Sequence, residues 1–327
     1  MPKASEILGR FTVGALTPVD FDVSHGLFVE LTIHAEESKS LQEAAFGWLT
    51  GGIRKYDRQG LIGHLKENLK VSGNGFSRII EAIPRKHRKG FWGSIQIAPS
   101  GTFEVLYNPY VEDALLWLRD HLFEHPESAG VKIGRFTEDG EVGNSDISFN
   151  VTFEEELTDY VKLGLHVDTA SLVDAGSTAA EHERLLATVR WACERYNVVF
   201  SHVSYRHSGG ATELESRLRG RSSDPVSNIP QWRTLLRGYS WIMVVSAEIA
   251  ELLGGNEALR DTGAFSGVSA LPNGALLLQA TPTFQQYDGE AVRAVYEVFR
   301  DVLVQGEPRS PLPMPGQPPV NLVVTDG

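Results

Sequence analysis

The side chains best suited to metal chemistry are a few histidines and one aspartate in the middle of the chain. His166 and Asp168 are two residues apart in an alternating stretch, so they point to the same side of a strand, as two ligands of one ion must. With His202 as a third ligand, they predict a metal-assisted hydrolase that activates water. His207 is five residues after His202, which on a strand places it on the opposite face. We favour the alternative, in which each histidine is satisfied in the core or faces solvent.

Signature motifs of other enzyme classes are absent from the sequence. The glycines at 71–76 lack the Gly-Lys-Ser/Thr of a phosphate-binding loop, and 263–267 lacks the spacing of a nucleophile elbow. Glu181–Glu183 contains one histidine without the second, four residues later, that a zinc protease helix needs. Cys193, the single cysteine, excludes an internal disulfide, and apolar neighbours at helical spacing predict a buried, inert thiol. None of these patterns is a convincing active site, and none of them calls for a cofactor.

A run of carboxylates follows a predicted strand near the middle of the chain. Glu154, Glu155 and Glu156 are consecutive, and Asp146 and Asp159 lie close to them in the sequence. One interpretation is a solubilising turn. The other is a docking surface for a basic partner, because opposed electrostatic fields speed and orient association. On the second interpretation, these five residues are the predicted partner-binding residues.

Composition limits the classes of partner. The chain of 327 residues has 30 Lys and Arg against 42 Asp and Glu, a formal net charge of −12. That charge argues against a general nucleic-acid binder and against binding to anionic membranes, since both require a positive field. Basic patches at 85–89 and 217–221 lie next to predicted loops, where charged side chains are usually exposed to solvent without a binding role. There is no secretory leader and no apolar stretch of membrane-spanning length, so we predict a cytoplasmic protein.

The strands that could position these side chains are indicated in the sequence by a clear alternation of apolar and polar residues. Residues 27–34 place Leu27 and Ile33 on one face and Glu30 and His34 on the other, which predicts a half-buried strand with one face toward water. Other strands and hairpin arms are predicted at 94–97, 103–107, 147–154, 163–168, 239–245 and 275–280.

Helices are indicated by caps and by apolar stripes. Ser40–Glu43 and Thr178–Glu181 fit the capping box, in which a hydroxyl and a carboxylate satisfy reciprocal backbone donors. Ser246 predicts the N-cap of a short helix that ends at a glycine pair, and stripes at 111–122 and 292–302 predict two more helices. Together these elements predict an α+β fold, with antiparallel sheets and helices packed on one face.

The chain length suggests two domains and a tail. The mixture of Pro, Gly and acidic residues at 125–144 marks a seam between an N-terminal α+β domain at 1–140 and a C-terminal one at 141–307. Residues 308–327 form a proline-rich tail. A third hypothesis for function is a scaffold or interaction protein, whose tail at 311–319 recruits a partner through polyproline recognition.

The two halves share a faint internal similarity. Gly93–Leu122 and Gly267–Leu303 each contain a strand, a turn and a helix with an Arg-Asp pair near its end. This parallel is compatible with a duplicated α+β unit. Coincidence is the alternative, since two units of a hairpin and a helix look alike in any case.

The most distinctive stretch lies in the second half of the chain. Its core and turn residues form a Gly-Tyr-Ser-Trp strand, a short helix ending in Leu-Gly-Gly, and a glycine hairpin with Leu-Gln-Ala-Thr. This pattern, over roughly residues 185–305, resembles the bacterial polymorphic-toxin immunity proteins, namely the immunity protein 52 and type VI immunity family group. The segments that carry the resemblance are Leu235–Trp241, Leu252–Gly255, Thr262–Phe265, Leu271–Gly274 and Leu278–Thr281.

The resemblance implies an α+β protein without enzymatic activity that binds and neutralises a cognate secreted toxin. Inhibition in such families is by occlusion of the toxin's active surface. The matched residues would hold the fold, while loops would supply the contacts. An acidic chain suits a protein toxin with a basic surface, so we expect that partner and neither nucleic acid nor membrane.

Overall fold

The computed structural model describes the backbone of residues 26–56, 90–168, 175–204 and 211–308. Side chains are described in the same ranges except at 26, 142–146, 168 and 175–178. The predicted tail at 308–327 lies outside these ranges except for its first residue, as do the glycines at 71–76 and the basic patch at 85–89. Among the described helices, none has the length and apolar character needed to cross a bilayer.

Ten strands form a single sheet in which every neighbouring pair is antiparallel. The strands are β1 (Gly26–His34), β2 (Phe91–Ala98), β3 (Leu106–Pro109), β4 (Ser128–Phe136), β5 (Val142–Thr152), β6 (Tyr160–Asp168), β7 (Val198–Ser204), β8 (Ile242–Val245), β9 (Gly267–Ala270) and β10 (Leu276–Gln279). Across the sheet their order is β3-β2-β4-β5-β6-β1-β7-β8-β10-β9. With the helices, this confirms the α+β class, although one sheet takes the place of several.

Eight α-helices within the described ranges accompany the sheet. They are α1 (Ser38–Gly47), α2 (Ile53–Tyr56), α3 (Ala114–Phe123), α4 (Ala175–Cys193), α5 (Pro225–Asn228), α6 (Ala247–Leu252), α7 (Gly255–Asp261) and α8 (Gly289–Phe299), with a π-helical turn at Trp48–Gly52 between α1 and α2.

One face of the sheet is apolar and is covered by helices. The predicted alternation of β1 is confirmed on this face, where Leu27 and Ile33 are buried. Directly opposite residues of antiparallel strands share a face, so the pairing of Leu31 with Leu163 continues the same surface on β6. The indole of Trp48 packs on it, with its ring 4.9 Å from that of Phe149 on β5. Burial of this face by α1, α3 and α4 forms the main core.

The other face of the sheet was predicted to be wet, and on β1 this prediction is wrong. Glu30 and Thr32 are buried, with exposed fractions of 3% and 1%. The segment from residue 211 to 238 covers this face, and its Arg237 lies 5.4 Å above the ring of Phe200 on β7. Alternation alone could not distinguish a face covered by an irregular segment from one covered by water.

Two predicted capping boxes lie inside helices instead of starting them. α1 begins at Ser38, after an N-cap at Glu37 that forms no side-chain cap, so Ser40 is in the first turn. α4 begins at Ala175, so Thr178 is also internal. The prediction for Ser246 is confirmed, because its hydroxyl oxygen accepts a hydrogen bond from the Ile249 amide at 3.2 Å and caps α6.

The two similar hairpins lie at opposite edges of the sheet. In the first, β2 is the inner strand and β3 the edge; in the second, the later strand β10 is inner and β9 is the edge. The turn before β10 contains Gly274 with φ of +82°, as its glycine predicts. Because the order of inner and outer strands is reversed, the two units do not repeat one topology.

The stretch at 125–144 contains a strand that the sequence analysis missed. β4 lies within it and pairs with β5, so strands from both sides of the predicted boundary at residue 140 are neighbours in the sheet. β1, from the N-terminal part, lies between β6 and β7 of the C-terminal part. The division into two domains stays a prediction.

Candidate functional site

Several loops meet at one end of the sheet. The amide of Ala35, after β1, donates to the carbonyl of Asp159 at 3.0 Å, and the amide of Phe153, after β5, donates to the carbonyl of Glu127 at 2.9 Å. These hydrogen bonds hold three loops side by side. We call this surface the acidic end; its exposed carboxylates are Glu36, Glu37, Glu127, Glu155, Glu156 and Asp159.

The predicted carboxylates divide into three groups. Glu155, Glu156 and Asp159 are exposed at the acidic end, as predicted for contact residues. Glu154 is half-buried and forms an ion pair with Lys162 on β6, so its charge is already compensated. Asp146 lies toward the opposite end of β5, about 20 Å from the strand's last residue, Thr152, at 3.4 Å per residue. Only the backbone of Asp146 is described. The structure therefore does not bring Asp146 together with the other four.

Sequence reasoning missed half of the acidic end. Glu36, Glu37 and Glu127 belong to other loops, and only the strand order brings them beside the predicted residues. Within the described ranges, none of the six carboxylates of the acidic end forms an ion pair. The surface therefore carries uncompensated negative charge, which attracts a basic partner.

Three aromatic rings from separate segments meet beside the acidic end. The ring of His34 lies 5.0 Å from that of Tyr160 and 5.7 Å from that of Trp232, and all three side chains are half-buried. The guanidinium of Arg233 lies 4.4 Å from the Trp232 ring and pairs with Glu248 at 3.2 Å. We call His34, Tyr160 and Trp232 the aromatic cluster.

The Tyr160 hydroxyl is affected by its neighbours in opposite directions. Burial raises its pKa, and the carboxylate of Asp159 acts in the same direction. A hydrogen bond from Trp232 and the positive charge of Arg233 oppose that increase. Asp159, at the acidic end, therefore interacts electrostatically with Tyr160 of the aromatic cluster.

A buried charge network holds the covering segment on the sheet. Arg237 donates from Nη1 to Glu30 Oε1 at 3.1 Å and from Nε to Glu215 Oε1 at 3.0 Å. Burial by itself lowers the pKa of Arg237, but the two carboxylates outweigh it and raise the pKa, so the guanidinium stays charged. Asn228 donates to Glu215 Oε1 at 2.8 Å, which fixes that carboxylate further. The network connects β1 to the segment that carries Trp232.

The structure separates the residues of the metal hypothesis. His166 on β6 pairs with Phe28, and His202 on β7 pairs with Glu30, so β1 lies between the two histidines. His202 is buried and stacks on Phe200 at 5.5 Å. The described residues contain no group of three or more His, Cys, Asp and Glu side chains placed to hold a metal ion. The side chain of Asp168 and all of His207 lie outside the described part of the chain.

His182 on α4 is a buried histidine whose ring lies 4.6 Å from that of Trp241. Burial lowers its pKa to about 4, so it is neutral near pH 7. Its neighbour Glu181 is also buried, and burial raises the pKa of that carboxyl against the opposing effect of Arg184. Neither residue lies at the acidic end, and their buried position on α4 indicates a role in packing.

We expect His182 to make the protein less stable in mild acid. The unfolded chain, with an ordinary histidine pKa, binds a proton that the folded chain excludes, so the stability contributed by neutral His182 is lost as pH falls from about 6.5 toward 4. Between about pH 7.5 and 5, the free energy of unfolding should fall by roughly 1–2 kcal/mol more in the wild type than in His182→Phe, which keeps a ring against Trp241. Equal pH dependence in denaturant titrations of the two proteins would show that His182 does not titrate in this way.

Cys193 lies near the end of α4 and is 3% exposed, which agrees with the predicted buried thiol. Burial raises its pKa to about 12, so the reactive thiolate is scarce at neutral pH. We expect negligible labelling of the native protein by a thiol reagent and one label per chain after denaturation, counted by mass spectrometry. Rapid, stoichiometric labelling of the folded protein would contradict this account of the thiol.

Comparisons with known proteins give a likeness in fold. No protein-family model matches the sequence, and no curated protein matches it, so the resemblance to the immunity families stays a prediction. The solved structure of the Pseudomonas aeruginosa T6SS protein PA0821 is similar, with a TM-score of 0.51, over 91% of this chain and 79% of that chain. The two sequences are 11% identical, and at that level the likeness shows that this chain shares the fold of PA0821.

Proposed function

We propose that this chain is a non-enzymatic immunity protein, which binds a cognate secreted bacterial toxin in the cytoplasm and neutralises it by covering its active surface. The observation that carries the proposal is the acidic end, where three loops present six exposed carboxylates without ion pairs to described residues. The fold shared with a T6SS protein supports a role in the same kind of system. The resemblance of residues 185–305 to immunity families supports it independently.

The acidic end favours a partner of opposite charge. Uncompensated carboxylates on one surface speed the encounter with a basic protein and orient it before contact. A toxin that acts on nucleic acid or nucleotides needs a basic active surface, so the complementary field also directs the encounter to that surface. Binding there excludes the substrate without any chemical step by the immunity protein.

The loops of the acidic end are held in place before any partner arrives. Backbone hydrogen bonds near 3 Å connect the loop after β1 with the loop before β6, and the loop after β5 with the loop before β4. A surface fixed in this way loses little conformational freedom on binding, which reduces the entropic cost of association. The sheet thus provides a rigid support for contacts that come from residues distant in sequence.

Complex formation tests this proposal. The protein encoded beside this gene should be purified, mixed with the full chain and analysed by size-exclusion chromatography with light scattering. We expect a stable complex and loss of the toxin's activity on its substrate when the chain is present in equal amount. A matched control is the chain with Glu155, Glu156 and Asp159 replaced by lysine, which should form less complex at low salt.

Two results would oppose the proposal. Failure of the two proteins to associate at low ionic strength, where attraction between opposite charges is strongest, would contradict the proposed binding. Elemental analysis of the purified chain should show no stoichiometric transition metal, and a near-equimolar metal content would favour the hydrolase hypothesis with His166, Asp168 and His202.

A further inference from the structure

The aromatic cluster has the composition of a receptor for a cationic side chain. Its rings come from the end of β1, the start of β6 and the segment that covers the second face, with centroids 5.0 and 5.7 Å from His34. Each of these three residues keeps part of its surface exposed to solvent. The faces of the tyrosine and tryptophan rings carry partial negative charge, which attracts a positive group.

The carboxylates beside the aromatic cluster favour the same ligand, and the one cation that the described residues place on its rings, Arg233, is paired with Glu248. Asp159 is adjacent to Tyr160 and acts on its hydroxyl, and Glu36 follows His34 by two residues. The hydrogen bond between the Ala35 amide and the Asp159 carbonyl keeps these two loops together. A cation seated on the rings would therefore lie close to exposed carboxylates that have no ion pair with a described residue.

The chain itself already shows that one of the rings accepts a guanidinium. Arg233 lies over Trp232, with its Cζ atom 4.4 Å from the ring centroid, while its Nε atom contacts the carboxylate of Glu248. Tyr160 and the adjacent Asp159 offer the same two kinds of group, a ring and a carboxylate. Arginine, tryptophan and tyrosine are also the residues that contribute most to protein interfaces.

We propose that the aromatic cluster is the docking site for a lysine or arginine side chain on a basic loop of the partner protein. The inference rests on the proposed function, because it places the energetic centre of that interface at His34, Tyr160 and Trp232. The carboxylates of the acidic end then steer the partner, and the rings retain it. Steering acts on the association rate, whereas the rings act on dissociation.

A peptide probe tests the site without the toxin. A hexa-arginine peptide should be titrated into the full chain while the indole N–H resonance of Trp232 is followed by NMR, with hexa-glutamate as the control. We expect hexa-arginine to shift this resonance and hexa-glutamate to leave it unchanged, with the shift abolished in Tyr160→Leu. Binding of hexa-arginine that leaves the Trp232 resonance unmoved would overturn the inference, as would the absence of any binding.

The toxin supplies the second measurement. Trp232→Leu is expected to weaken toxin binding by about tenfold or more, mainly through faster dissociation. Trp117→Leu is the matched control, because Trp117 is also half-buried and lies 4.5 Å from a histidine ring, that of His121. Cooperative unfolding of each variant establishes that it is folded. If Trp232→Leu does not fold, toxin binding by Tyr160→Leu provides the second test of the site.

The outcomes separate the two proposals. Toxin binding that is unchanged by both Trp232→Leu and Tyr160→Leu overturns the docking site while leaving the proposed function intact. A hexa-arginine shift at Trp232 together with no toxin binding supports a cation site and contradicts the proposed function.

Discussion

Replacing Arg237 with methionine is expected to lower the free energy of unfolding by about 3–5 kcal/mol. Arg237 is 2% exposed, and the carboxylates of Glu30 and Glu215 that it contacts are equally buried. Methionine fills a similar volume but leaves both carboxylates in the core without their cation, where water cannot compensate them. Denaturant titration followed by tryptophan fluorescence measures the change.

Arg233→Met is the matched control for this prediction. Arg233 also contacts a glutamate, Glu248, at 3.2 Å, but its side chain is 62% exposed, so the charges of this pair are screened by water. We expect the free energy of unfolding to change by about 1 kcal/mol or less. A loss below about 1 kcal/mol for Arg237→Met as well would mean that the buried network does not hold the covering segment on the sheet.

Reversing the charge of Glu155, Glu156 and Asp159 to lysine is expected to slow toxin association by tenfold or more, on the order of the effects seen for steered complexes. The three side chains are exposed at the acidic end, so their loss should leave the fold intact. Since salt screens such fields over about 10 Å at 0.1 M, the difference from wild type should shrink as ionic strength rises. Stopped-flow or surface-based kinetics at several salt concentrations measure it.

The control for charge reversal uses three carboxylates at the opposite end of β4 and β5. Glu138, Asp139 and Glu141 lie in or beside the turn between β4 and β5, about 30 Å from the acidic end at 3.3 Å per residue. Their reversal changes net charge by the same amount but should alter the association rate far less. Equal slowing by both triple variants would indicate that net charge alone, without a local surface, governs association.

The sequence was sufficient to predict most strands, because alternation follows directly from the pleat. Residues 27–34 and 163–168 form strands, as does 147–152 of the predicted 147–154, and each carries the predicted apolar face. β4 was missed although Val131 and Ile133 alternate with polar or small residues, since nearby Pro, Gly and acidic residues suggested a seam. Composition over a window hid a local pattern of period two.

The buried charge network was harder to predict than the core. Glu30 stands at a position that alternation assigns to the wet face, and only the covering segment reverses that assignment. Arg237 is flanked by Leu236 and Gly238, and a lone charge within a mostly apolar stretch was the available signal. Its two partners are 207 and 22 residues away in the chain, so sequence spacing gave no indication of the pairing.

Part of the acidic end could be predicted and part could not. Glu155, Glu156 and Asp159 stand together in the sequence and were identified from it. Glu36 and Glu127 come from other loops, and their place beside these residues depends on strand order, which propensity and patterning do not determine. The aromatic cluster was missed for the same reason, because His34, Tyr160 and Trp232 belong to three separate segments.

Growth of a test bacterium under co-expression is the most direct measurement of the central claim. The gene beside this one should be induced alone, with the wild-type chain, and with the chain carrying lysine at 155, 156 and 159. We expect growth arrest by the neighbour alone, rescue and a co-purifying complex with the wild type, and weaker rescue by the variant. Arrest that the wild-type chain fails to relieve, or a harmless neighbour that does not bind it, would contradict the proposed immunity function.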